Sequence, residues 1–120
     1  MENKKANKLI DKILNNLDKT GINTDVLIND IKVLRTYALE EQVPLIVKVL
    51  RYTYEHIETN NTFSIPIPDD DPLEGNDSVQ QSEEDSSVES LKYLIALMRN
   101  LKNKGNISDL KEYKALLMAY

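Results

Sequence analysis

The chain has 120 residues, is 41% hydrophobic and 29% charged, and carries a formal net charge of −5, which suits one soluble domain with a modest core. It has no Cys and a single His, so disulfides, thiolate nucleophiles, Cys-type zinc sites and most histidine chemistry are excluded. No stretch is apolar enough for a membrane span, and Met1-Glu2-Asn3-Lys4-Lys5 lacks the character of a secretion signal; a cytoplasm-like compartment, or a particle assembled there, is expected.

In chain order, Leu9, Ile10, Ile13, Leu14 and Leu17 repeat with the period of one amphipathic helix over residues 5–19. Gly21 can stop it, and Thr24 or Asp25 can cap the next. Over 25–42, Leu27, Ile31, Leu34 and Ala38 form one stripe that Val26, Val33 and Tyr37 widen. This predicts a helix lying deeper than the first and touching two neighbours. Val43-Pro44 should break the chain, with Pro44 opening a third helix. A strand over 45–50 deserves consideration because β-branched residues are frequent, but the 46/50/53/57 stripe persists for too long and favours a helix over 44–60.

Thr62-Phe63-Ser64-Ile65-Pro66-Ile67-Pro68 is extended in style, and its prolines exclude a central strand. Two readings stand for Phe63, Ile65 and Ile67: a strap laid over the helices, which is favoured, or an extended edge offered to a partner. Residues 69–90 hold nine acids and no Lys or Arg, while 91–120 hold six bases against two acids. The composition of 69–85 is that of an acidic linker. Ser86-Ser87-Val88-Glu89 matches a capping box, before a helix with Leu91, Leu94, Ile95, Met98 and Leu101 on one face. Gly105 should end it, and Ser108-Asp109 should cap a last helix carrying Leu110, Tyr113, Leu117 and Tyr120 along one side. The predicted fold is therefore all-α, a small bundle of about five helices: residues 1–68 as a three-helix bundle with its strap, 69–85 as linker, 86–120 as a helical hairpin.

The segments Leu17-x-x-x-Gly21-x-x-Thr24-Asp25 and Leu101-x-x-x-Gly105-x-x-Ser108-Asp109 superimpose at an offset of 84 residues. Generic helix punctuation explains this more simply than an internal duplication; on either account the two hairpins should turn alike.

Little in the chain points to catalysis. His56 has no second His or Cys to converge with, so a helix-surface or partly packed residue is expected. Glu55 and Glu58 read as solvated helix charges. The run from Asp69 to Asp77 fails calcium-loop spacing, because Leu73 and Glu74 occupy its fifth and sixth positions. No glycine belongs to a phosphate-binding loop, and no cofactor or metal is expected. Ser82 in Ser82-Glu83-Glu84-Asp85 could accept phosphate, although polar linkers contain such runs by chance.

What remains is association. Candidate interface residues are Tyr52, Tyr54, Phe63, Ile65, Ile67, Tyr113 and Tyr120, since Tyr and large apolar side chains favour interfaces. Candidate anion-binding residues are Lys92, Arg99, Lys102, Lys104, Lys111 and Lys114, which the acidic segment 69–90 could mask. The leading expectation is a non-enzymatic protein–protein interaction or adaptor subunit of a larger assembly, binding a protein partner or itself, with no membrane and no small-molecule substrate. Abundant Asn, Lys and Ile would suit an AT-rich bacterial or phage genome, and hence an accessory or structural component of a virus particle. The alternative is a small helix-turn-helix regulator using residues 25–60 on nucleic acid, weakened by the apolar Leu45-Ile46-Val47 opening its recognition segment.

Overall fold

The computed structural model describes residues 1–67 and 83–119, and among them the chain forms five α-helices and no strand. They are α1 (Lys4–Thr20), α2 (Thr24–Glu40), α3 (Pro44–Asn60), α4 (Glu83–Leu97) and α5 (Lys104–Ala119). The fold is all-α, as the periodicity predicts. Most of the acidic linker expected at 69–85, including Ser82, lies outside the described residues, and so does Tyr120.

α1 starts because the Asn3 side chain accepts hydrogen bonds from the amides of Lys5 (2.7 Å) and Ala6 (3.3 Å). It buries Ala6, Ile10, Ile13 and Leu17 and stops at Gly21, whose φ of 70° favours a residue without Cβ and whose N–H reaches Leu17 O. α2 has Asn23 at its N-cap with no side-chain cap bond, in place of the expected Thr24 or Asp25. It buries Leu27, Ile31, Leu34 and Ala38, and also Asp30. Val26 and Val33, expected to widen this stripe, are 45% and 39% exposed. α2 reaches two neighbours, α1 and α3, as its widened stripe predicts. Gln42, with φ of 58°, makes the break before Pro44, which sits at the start of α3 where its missing N–H costs nothing. Residues 45–50 are helical, not extended.

α4 begins at Glu83, ahead of the expected cap, so Ser86-Ser87-Val88-Glu89 lies inside the helix rather than at its start. α5 begins at Lys104, capped by Asn103, whose side chain accepts from the Asn106 amide at 3.2 Å. Ser108 and Asp109 are therefore interior to α5, and Gly105 lies in its first turn instead of terminating α4. The two hairpins do not turn alike: three residues, the first a positive-φ glycine, join α1 to α2, whereas residues 98–103, with Asn106 Nδ2 donating to Asn100 O at 3.0 Å, join α4 to α5.

Packing is circular. α1 lies against α2 and α4, α3 against α2 and α5, and α4 against α5. One continuous apolar cluster takes side chains from all five helices and from the segment after α3. The C-terminal hairpin thus packs on the N-terminal helices of its own chain. Exposed ion pairs follow the same seams: Lys92 with Asp18 joins α4 to α1, Arg99, just beyond α4, pairs with Asp11 of α1, and Lys32 with Glu58 (3.4 Å) joins α2 to α3. Each stabilises little in solvent. The first residues are fastened more firmly: the Met1 amino group donates to Met98 O (2.6 Å) and Arg99 O (3.1 Å), occupying carbonyls just beyond α4, while Glu41 accepts from the amides of Glu2 and Asn3.

Candidate interaction surface

The seven candidate interface residues divide sharply. Phe63 (0% exposed) and Ile65 (3%) are core residues, Tyr113 is fully buried, and Ile67 is half-buried. A partner cannot reach Phe63, Ile65 or Tyr113, because the strap turns these groups into the chain's own core. Ser90 Oγ donates to Ile65 O at 2.6 Å, and Thr62 Oγ1 donates to Ser87 Oγ at 3.2 Å. Tyr52 and Tyr54 are half-buried, and the Tyr54 ring lies 5.1 Å beneath the Lys32 ammonium, a cation–π contact.

His56, 7% exposed, is part of the same fastening. Its Nε2 accepts the Ser64 amide at 3.0 Å and its ring meets Phe63 edge-on with centroids 5.6 Å apart. Burial lowers its pKa from 6.5. The folded chain therefore resists a proton that the unfolded chain accepts: the stabilisation is complete above 6.5 and is lost as pH falls through the depressed folded value. Urea midpoints should drop between about pH 7 and pH 5. His56→Gln, which keeps an acceptor near Nε2 without titrating, should flatten that slope; an unchanged slope would assign it to other groups.

Glu55 pairs with Arg51 at 3.1 Å and Glu58 with Lys32, so the two carboxylates serve separate cations. Among the described residues no group of His, Asp or Glu converges as a metal site, and no helix is long and apolar enough to cross a membrane.

The six candidate cations also separate. Lys92 and Arg99 are held by acids of α1, and Lys102 lies 3.5 Å from Glu2. A depression of about 780 Å³ beside Arg99, Lys102, Glu2 and Glu41 is correspondingly self-neutralised. Lys104 is exposed at the start of α5. Lys111 and Lys114, in contrast, meet Lys48 around a groove of about 510 Å³ between α3 and α5. Residues 111, 114, 115 and 118 fall on one face of α5 through steps of three and four, and 44, 45 and 48 do the same on α3. The groove accordingly has an apolar floor of Pro44, Leu45, Ala115 and Met118 beneath three ammonium groups. Met118 is 62% exposed, and none of the three lysines has an ion pair among the described residues.

Sequence reasoning finds Lys111 and Lys114 but omits Lys48, Leu45 and Met118. The spacing of 111, 114, 115 and 118 is visible in the sequence, whereas the adjacency of α3 to α5 is not. No protein-family model, curated protein or solved structure matches the chain.

Proposed function

We propose that this chain is a non-enzymatic helical interaction subunit, an adaptor that seats an acidic, amphipathic segment of a partner protein in the groove between α3 and α5. A virus particle or its accessory structures is one setting for such a part. The observation that carries the reading is the union of three lysines without an ion pair among the described residues and an exposed apolar floor. Complementary charge would steer a partner and fix its register, while the flexible Met118 side chain and the lysine stems adapt to apolar groups laid between them. Nucleic-acid binding through α3 is less well supported, because its exposed side includes Glu55 and Glu58, and Arg51 is engaged by Glu55.

Fluorescence polarisation tests the reading with a labelled helical peptide that has two leucines one turn apart flanked by glutamates. Binding with a dissociation constant of about 10 μM or tighter is expected. Lys48→Glu with Lys111→Glu should weaken it about a hundredfold, with the fold intact because both side chains are solvent-facing. Equal binding of a glutamine version of the peptide, or preference for a DNA duplex at the same salt, would overturn it.

A further inference from the structure

The α1–α2 hairpin encloses a separate cavity of about 160 Å³. Ile13, Leu17 and Leu27 give it aliphatic walls, Val26 lies at it with 45% exposure, and Asn16, Thr20, Asn23 and Asp30 supply polar groups. Asp30 is unusual, a carboxylate only 4% exposed in the midst of an apolar seam. Its Oδ1 meets Lys12 Nζ at 3.3 Å, but that lysine side chain is 57% exposed, and Asp30 Oδ2 is buried with no hydrogen-bond partner. A buried acceptor left open is costly, and native folds rarely keep one without a use.

We propose that this cavity binds an alkylammonium group, with the ammonium on Asp30 and the methylene chain against Ile13, Leu17 and Leu27. The proposal is independent of the lysine groove. Size agrees: at roughly 30 Å³ for each water-sized unit, the cavity holds about five non-hydrogen atoms, the content of a butylammonium ion or of a lysine side chain beyond Cα. Chemistry agrees as well. The lining holds a single carboxylate, and its other side-chain oxygens, on Asn16, Thr20 and Asn23, are neutral, which suits a monovalent ammonium better than a hard divalent cation that gathers several carboxylates, and a buried carboxylate rejects anions. Lys12, on the neighbouring turn of α1, is the internal cation that already half-answers Asp30.

The test is a titration of the ¹⁵N-labelled full chain with n-butylammonium chloride, followed by amide chemical shifts. Saturable shifts centred on residues 26–30 are expected below about 100 mM, and n-butanol of the same shape should give none. Asp30→Asn should weaken binding about tenfold or more, and Lys12→Met should strengthen it by removing the competing cation. Should Asp30→Asn fail to fold, Val26→Phe, at a half-exposed position, should close the cavity and abolish the shifts. Blocked lysine (N-acetyl-lysine methylamide) separates the sources: binding equal to butylammonium identifies a side chain of another protein as the natural group, and binding of the free amine alone identifies a small molecule. Equal response to butanol, retention of affinity in both Asp30→Asn and Val26→Phe, or no saturable shift would overturn the proposal.

Discussion

Phe63→Ala is expected to destabilise the chain by about 3–5 kcal/mol, the range for emptying a fully buried aromatic site, against a total of about 5–15 kcal/mol for a domain of ordinary stability. Phe63 is 0% exposed and lies between His56 on α3 (5.6 Å between centroids) and Tyr113 on α5 (6.2 Å). It thus touches both α3 and α5. Its loss removes apolar burial and loosens the support of the Ser64 amide on His56. Urea unfolding at neutral pH measures the effect, and a loss below about 1 kcal/mol would show that the strap is an ornament on an already complete bundle. Ile67→Ala, at a half-buried position, should cost much less and serves as the control.

Tyr113 is expected to give the second large effect, one that separates into ring and hydroxyl. Tyr113→Ala should cost about 3–5 kcal/mol, because the ring contacts both Phe63 and Tyr93, the latter at 6.3 Å. Tyr113→Phe should cost about 1–3 kcal/mol, the usual result of leaving a buried polar group short of a partner. The proton accounting is tight. Ser90 Oγ gives its hydrogen to Ile65 O, so the Tyr113 hydroxyl hydrogen is shared between Ser90 O and Ser90 Oγ, each 3.0 Å away. Burial also raises the Tyr113 pKa, which keeps that hydrogen in place across the working range of pH. Ser90→Ala strands the Ile65 carbonyl, and the double variant with Tyr113→Phe should fall short of the sum of the singles because one network is broken twice. Strict additivity in thermal or urea unfolding would count against a shared network.

The fold was legible in the sequence where apolar spacing alone decides structure, and illegible where partners do. The Ile10–Ile13–Leu17 stripe, Gly21 and Pro44 read directly as a helix, its stop and the start of another, because each acts through its own backbone. Gly105 misleads for the opposite reason. A glycine takes the left-handed role only where the chain turns, and here Asn103 caps α5 ahead of it. Val26 and Val33 extend a stripe on paper, yet among the described residues they stay 45% and 39% exposed. The binding features were legible only in part. Lys111 and Lys114 stand out as unbalanced charge, but that α3 delivers Lys48 beside them depends on helix pairing with no local signal. Asp30 carries no mark at all in the sequence, since one acid among apolar residues at helical spacing is as often outside a fold as within it.

The circular order of the helices leaves no outermost member. Each has two flanking partners, and the first and last joins of the circuit link residues as far apart as Met1 and Met98. Peeling any one helix away would open two seams at once, so partial fraying is penalised twice and loss of structure should proceed in a single step. Assembly carries the matching cost: the α1–α4 seam closes over the 62 residues between Thr20 and Glu83, a long loop with a large entropy of closure, so folding should be slower than in a bundle whose neighbours are all adjacent in sequence.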